Sequence, residues 1–246
     1  MRRFELTEIE ETRPTIFLLN GGGQEPYNRF HKITKLFKSY NCNVVALEIP
    51  GHGKSSFSTV VDASTMLDAF YEEFSKICQH YGEIGLFGFS LGALLALKAT
   101  EKHLHDYLFT IATGASIVIG KKQESVMQEI TTVEFFERMR WMDIMKKYHN
   151  GGWQNLLDSI SAMLHPGSKL FANPADFPAD IPVHLLIGDH DEVSDYQMHE
   201  PIAEQIKSLQ LHVIEETSHF EYFSTSWSKT KSVVKTIVDS YLDPKN

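Results

Sequence analysis

The amino-acid sequence predicts an α/β protein, a mostly parallel, doubly wound sheet with an inserted helical cap. Three observations carry this. Short apolar runs alternate with helical patterns along most of the chain, as expected of parallel strands buried on both faces. The alternation lapses over residues 114–179, where only helical periodicity is found. One apolar run, Glu83-Ile84-Gly85-Leu86-Phe87-Gly88-Phe89, turns at Ser90 straight into an Ala/Leu-rich stretch beginning at Leu91. The sequence therefore divides into a core of residues 1–113 and 180–246 and a cap of residues 114–179.

Composition sets the class. At 246 residues, with 42% hydrophobic and 22% charged residues, the chain is an ordinary globular protein and long enough for a large core. No apolar run approaches the roughly 20 residues that span a bilayer, so no membrane partner is expected. The start, Met1-Arg2-Arg3-Phe4-Glu5-Leu6, lacks the apolar core of a signal peptide, and a cytoplasmic location is expected. A net charge of −9, with Lys and Arg scattered, argues against nucleic acid as partner. Cys42 and Cys78 have no C-x-x-C or His-rich context and read as reduced structural thiols.

Taken in order, residues 3–9 alternate enough for an edge strand, and Pro14 turns the chain into a buried strand over 15–19. Asn20-Gly21-Gly22-Gly23 stops that strand with a loop whose unobstructed N–H groups suit an anion. A helix over 27–39 places Phe30, Ile33, Leu36 and Phe37 on one face. The next strand, 44–49, ends in Pro50-Gly51-His52-Gly53-Lys54-Ser55-Ser56. A long helix over 62–81 starts near Asp62 or Ser64 and turns Met66, Leu67, Phe70, Phe74 and Ile77 inward. The strand leading to Ser90 follows, then its helix to about residue 103 and a strand over 107–112. In the cap, helical periodicity runs through 134–142 and 153–164, broken at Asn150-Gly151-Gly152 and Pro166-Gly167. The sheet resumes at 183–187, followed by Gly188-Asp189-His190-Asp191-Glu192-Val193, a helix near 196–208, a strand over 211–214, a loop carrying His219 and a last helix to about residue 242.

The serine turn carries the chemistry. Gly88 and Gly92 flank Ser90 as G-x-S-x-G, where the strand and helix pack almost against each other. The turn lifts the hydroxyl toward the electropositive helix N-terminus, where a backbone N–H can stabilise an oxyanion. An alcohol near its normal pKa is a poor nucleophile, so it needs an imidazole to take its proton and a carboxylate to fix that imidazole's tautomer. A serine on a strand-to-helix turn, acids after a later strand and a histidine after the last strand occur in that order.

That order, with the glycine loop, resembles the α/β-hydrolase family, and Pro50-Gly51-His52-Gly53-Lys54-Ser55 is similar to its P-G-H-G-x-S segment. The resemblance covers nearly the whole chain. It implies an α/β-hydrolase fold with active-site loops at the strand ends, its opening pair of strands shortened to one, and a structural role for His52. Among twelve histidines, His219 is then the best-placed general base, since His212 lies within a strand pattern and His199 on a helix. Four acids, Asp189, Asp191, Glu192 and Asp195, compete to orient it. Asp191 matches the family's G-x-x-D spacing and leaves two residues for the chain to turn, whereas Asp189 suits hydrogen bonds to loop N–H groups. The oxyanion donors implied are the N–H groups of Leu91 and of one glycine of the loop, Gly22 first; Asn20 stands where many relatives carry His, a departure that leaves Gly23 as the alternative to Gly22.

The expectation is a cofactor-independent, metal-free serine hydrolase acting on a small acyl compound, a carboxylic ester, through an acyl-enzyme. Asp189-His190-Asp191 are adjacent on a loop without a second ligand pair at helical spacing. Carbon–carbon bond hydrolysis, or elimination as in the menaquinone-pathway synthases that the P-G-H-G and G-x-S-x-G segments also resemble, is the alternative. A non-enzymatic binding protein fits less well, since no triad member is missing. Arg138, Arg140 and Trp141 are candidate substrate contacts, set against surface salt bridges and packing as the ordinary roles of such residues, in a cap expected to cover Ser90 and set substrate size. The sequence gives no oligomeric state.

Overall fold

The computed structural model describes residues 1–25, 30–149 and 151–242. Among them seven strands form one sheet: β1 (Arg2–Glu5), β2 (Thr15–Leu19), β3 (Asn43–Glu48), β4 (Ile84–Phe89), β5 (Tyr107–Thr113), β6 (Val183–Gly188) and β7 (Leu209–Ile214). Their order is β1-β3-β2-β4-β5-β6-β7. All pairings are parallel except that of the edge strand β1 with β3.

Alternating side chains of the central strands serve two cores. Phe17, Leu19, Val45 and Leu47 pack with α2 (Ala63–Cys78) and α3 (Leu91–Glu101) on one face. Ile16, Leu18, Val44 and Ala46 pack with α1 (His31–Lys38) and α9 (Trp227–Val238) on the other. Both faces being covered explains why these strands read as unbroken apolar runs. Cys42 and Cys78 are buried free thiols, each pushed up to about 12 by burial. Among the described residues no helix is long and apolar enough to cross a membrane.

Several boundaries differ from expectation for identifiable reasons. The first strand stops at Glu5 instead of residue 9, because side chains take over the pairing: the Thr7 hydroxyl accepts the Val44 N–H at 2.9 Å, and Asn43 bonds the backbone of Glu10 on both its N–H and C=O. Residues 27–29 of the first predicted helix lie outside the described residues, and α1 covers 31–38, with Phe30 and Ser39 at its two caps. Asp62 caps α2 by accepting the Thr65 N–H at 2.8 Å. The helix expected over 196–208 is reduced to a 3-10 turn at Tyr196–Met198 and the single turn α8 (Glu200–Ala203). There Pro201 supplies no donor, and the buried His199 ring is engaged at both nitrogens, with the Asp195 carbonyl at 2.7 Å and the Ile117 N–H at 3.0 Å.

The 114–179 segment holds α4 (Lys121–Glu129), α5 (Val133–Arg138), α6 (Met142–His149) and α7 (Trp153–Met163). The run 134–142 is not one helix: α5 ends at Arg138 and Arg140 reverses the chain at φ +57 before α6 begins. α4 carries no apolar stripe; its buried residues are Gln123 and Met127, so its sequence has no helical periodicity to reveal it.

Candidate active site

Ser90 ends β4 at φ +51 and ψ −119, a strained backbone for a non-glycine residue. The neighbouring glycines make the turn possible. A Cβ at Gly92 would lie 2.2 Å from the Leu19 carbonyl oxygen, and one at Gly88 would lie 2.5 Å from Ala93 Cα. These are backbone contacts that no side-chain movement relieves. The Ser90 N–H is itself held by the Thr113 carbonyl at 2.9 Å.

His219 Nε2 lies 3.1 Å from Ser90 Oγ, and His219 Nδ1 lies 3.1 Å from each carboxylate oxygen of Asp191. The loop after β7 reaches Asp191 by crossing directly over the end of β6: a Cβ at Gly188 would sit 1.9 Å from the Thr217 carbonyl oxygen. The His219 ring is seated beside Phe89, with Phe220 set edge-on to it, and a Cβ at Gly114 would be 3.2 Å from Cε1. Of the four candidate acids only Asp191 reaches the imidazole. Asp189 accepts the Thr217 N–H at 3.3 Å, Glu192 faces the His219 backbone N–H at 3.5 Å, and Asp195 accepts the Gln197 N–H at 3.0 Å.

Asp191 is buried and fully engaged. Oδ1 accepts the N–H groups of Val193 and Ser194, both at 2.9 Å, and Oδ2 accepts the Tyr222 hydroxyl at 2.7 Å. Burial alone would raise this carboxyl, but the His219 imidazole, the Tyr222 hydroxyl and the Ser194 N–H outweigh it and hold the group below the usual carboxylate range. Tyr222, wholly buried, also accepts the Gly188 N–H at 2.7 Å. Burial, then the Asp191 charge, pushes its hydroxyl well above the ordinary range, so it remains a donor. Sequence reasoning missed Tyr222; its only trace there is a position one turn beyond His219.

The glycine loop is braced by Asn20, whose amide donates to the carbonyls of Gly21 at 3.1 Å and Gln24 at 2.6 Å. Gly23 donates its N–H to His52 Nε2 at 2.9 Å. Among the described residues, neither the Gly22 nor the Leu91 N–H has an acceptor, and both residues line a cavity that opens over Ser90.

The cavity is small, about 220 Å3, where pockets for drug-sized ligands measure roughly 300–1,000 Å3. Its walls include Met127, Ile130, Phe135, Phe136, Trp141 and Ile160 of the 114–179 segment. Among the described lining residues Glu25 is charged and no Lys or Arg is present. Trp141 thus lines the cavity, whereas the two arginines do not. Arg138 is exposed, pairs with Glu129 at 2.7 Å and stacks on Phe135; Arg140 is exposed and takes φ +57 between α5 and α6. No group of three or more His, Cys, Asp or Glu among the described residues is placed to hold a metal ion.

A family model described as the alpha/beta hydrolase family matches residues 16–226. The chain belongs to that family. No curated protein matches it in sequence. Solved structures share its fold at low identity. MenH from S. aureus is 16% identical with a TM-score of 0.68, the alignment covering 100% of this chain and 98% of that one. The 2-hydroxy-6-oxo-6-phenylhexa-2,4-dienoate hydrolase of Rhodococcus sp. strain RHA1 is 14% identical with a TM-score of 0.74, over 94% and 91% of the two chains. A Pyrococcus furiosus esterase is 17% identical with a TM-score of 0.70, over 98% and 91%. Ser90, Asp191 and His219 all follow the carboxyl ends of strands, β4, β6 and β7 respectively.

Proposed function

We propose that this protein is a serine hydrolase that cleaves small, uncharged carboxylic esters through an acyl-enzyme. The observation that carries the reading is the unbroken hydrogen-bonded line from Ser90 Oγ through His219 to the buried Asp191, opening into a small apolar cavity. Asp191 keeps the proton on Nδ1, so Nε2 is free to accept from the serine. Ser90 Oγ attacks the ester carbonyl as its proton passes to Nε2. The resulting oxyanion takes the N–H groups of Gly22 and Leu91, which have no other acceptor among the described residues. Collapse expels the alcohol, which receives the proton from His219. Water then attacks the acyl-serine, giving its proton to Nε2, and the acid leaves with Ser90 regenerated. The 114–179 segment acts as a cap that sets substrate size.

Carbon–carbon bond cleavage and elimination could use the same proton transfers, and the fold neighbours include a dienoate hydrolase and MenH. The ester reading is favoured by the walls of the cavity: Met127, Ile130, Phe135, Phe136, Trp141 and Ile160 present an apolar surface that suits an uncharged acyl chain. The test is labelling by a fluorophosphonate, followed by turnover of short acyl esters, thioesters and diketone acids with wild type and Ser90→Ala. Serine-dependent labelling with turnover of esters is expected. Absence of labelling would remove the acyl-enzyme, and turnover confined to diketone acids would move the reaction to carbon–carbon chemistry.

A further inference from the structure

Two buried histidines lie behind the glycine loop and take no part in the proton transfers. His52, in the Pro50-Gly51-His52-Gly53 turn, has its Nδ1 3.0 Å from the Pro50 carbonyl, and its Nε2 accepts the Gly23 N–H at 2.9 Å. The carbonyl fixes the proton on Nδ1, so Nε2 is committed as an acceptor. His149, at the end of α6, accepts the Gly53 N–H on Nδ1 at 3.0 Å. The two rings stand edge to face with centroids 5.3 Å apart, and both residues are 0% exposed. Burial, then His149, pushes His52 down to about 3, and burial lowers His149 against the Gly23 backbone and the Glu48 carboxylate. Both rings are therefore neutral, with these acceptor nitrogens available, at physiological pH.

The cap also reaches Gly23 from the other side. A Cβ there would lie 2.8 Å from Met145 Sδ and 3.2 Å from Phe136. Next to His149, Tyr148 donates to the fully buried Glu48 at 2.9 Å, and Glu48 also accepts the Ser55 hydroxyl at 3.1 Å. The turn that carries His52 is thus fastened to α6 at Gly53 and, through Glu48, at Ser55. Gly23 is gripped between that turn and α6.

We propose that His52 and His149 are positioning residues for the oxyanion hole. His52 holds the Gly23 N–H so that the adjacent Gly22 N–H faces the reacting carbonyl, and His149 makes this geometry depend on a seated cap. The inference rests on the acyl-transfer reading, in which Gly22 is an oxyanion donor. It also explains why the loop's two candidate donors are not equivalent: the Gly23 N–H is consumed in holding the loop.

The test compares His52→Asn with His52→Gln. An asparagine amide can replace Nδ1 against Pro50 but stops short of Gly23, whereas a glutamine oxygen reaches about as far as Nε2. Misplacing one oxyanion donor predicts a loss of kcat of about 10- to 100-fold for His52→Asn, with KM within about twofold of wild type. A short-chain trifluoromethyl ketone, which adds reversibly to Ser90 and places its oxygen in the oxyanion position, weakens by the same factor. Amide hydrogen exchange over residues 20–25 accelerates. All three effects are restored in His52→Gln. His149→Phe, which keeps a ring in α6 but removes the acceptor, shows a smaller loss and faster exchange over the same residues.

Wild-type kcat in His52→Asn overturns the proposal, as does a rise in KM alone, or a loss of kcat that leaves ketone affinity unchanged. Wild-type kcat and exchange in His149→Phe removes the part assigned to the cap. If the wild-type protein does not react with a fluorophosphonate, the acyl-transfer reading falls by itself. Exchange over residues 20–25 then still decides whether His52 positions the loop.

Discussion

Tyr222→Phe isolates what holds the Asp191 carboxylate in place. The substitution keeps the ring's packing against Phe89 and Phe223 and removes one oxygen. That oxygen makes two buried bonds, donating to Asp191 Oδ2 at 2.7 Å and accepting from the Gly188 N–H at 2.7 Å. A hydrogen bond to a charged group is worth about 1.5–3 kcal/mol, and a buried N–H left without a partner costs about 1–3 kcal/mol. Gly188 cannot swing toward another acceptor, because it is paired with Ile214 of β7 and pressed against the Thr217 carbonyl. The expected loss of stability at pH 7 is therefore about 2.5–6 kcal/mol, a large share of the 5–15 kcal/mol typical of a folded domain.

The carboxylate part of that loss depends on pH. In the folded wild type the Asp191 carboxyl lies below its unfolded value of about 3.9, so ionisation contributes stability above that pH and ceases to as pH falls through the folded value. Without the Tyr222 donor, burial is less opposed and the folded value rises. The variant then loses its share of stability at a higher pH than wild type does. Urea titrations from pH 7 downward should show a full difference at neutrality that narrows in acid. A difference below about 1 kcal/mol at pH 7, or one that widens as pH falls, would refute the assignment. Activity should suffer less than stability, since Val193, Ser194 and His219 still hold Asp191.

Asp191→Asn should reduce turnover by an order of 10⁴ while remaining folded by circular dichroism, because it offers His219 the wrong tautomer partner. Asp189→Asn should keep far more activity, since its carboxylate bonds only the Thr217 backbone in the described contacts; the reverse ranking would transfer the orienting role. Gly92→Ala should fail to give a folded protein, its Cβ being driven to 2.2 Å from the Leu19 carbonyl, whereas Gly82→Ala, with nothing within 4 Å, should leave the thermal midpoint nearly unchanged. Ile160→Ala enlarges the cavity beside Gly22, where Ile160 Cδ1 would stand 3.0 Å from a Cβ. The kcat/KM ratio of a longer to a shorter acyl ester should rise about tenfold, within the roughly 1–3 kcal/mol that a methylene-sized change in an apolar pocket supplies. An unchanged ratio would place the acyl group elsewhere.

What the sequence discloses is what local patterning controls. The buried strands announce themselves because both of their faces are covered, and Ser90 is legible because G-x-S-x-G expresses a backbone constraint within five residues. His219 and Asp191 are legible as loop residues following particular strands. Tyr222 is not, because its role depends on Gly188, 34 residues earlier, meeting it across the sheet end. Nor is the acceptor role of His149, whose partner Gly53 lies 96 residues away. The cap reads as helical, and its break at residues 150–152 falls between α6 and α7, but the break at Arg140 is hidden: it uses a positive φ at a residue that sequence would place mid-helix. α4 is held by tertiary packing of Gln123 and Met127 instead of an apolar stripe. The region after β6 reads as a helix from its composition, yet the His199 contacts to Asp195 and Ile117 outrank that propensity.

The same close contacts that build the site also fix the fold around it. Ser90 holds a positive φ, which for a non-glycine residue costs about 1–3 kcal/mol and persists only where the surroundings over-determine it. Here they do so from three sides: the Thr113 carbonyl takes the Ser90 N–H, α3 accepts the chain immediately after it, and Gly92 lets α3 descend onto the end of β2. Relaxing the serine would require β4 to separate from β5 or α3 to lift from Leu19, and each would expose part of a core buried on both faces of the sheet. The histidine is tied to the same framework, because the loop that carries it rests on Gly188 at the end of β6 and against Gly114 at the end of β5. The distances from Ser90 to His219 and from His219 to Asp191 are therefore set by strand spacing within one sheet. Positioning is accordingly already met in the folded protein.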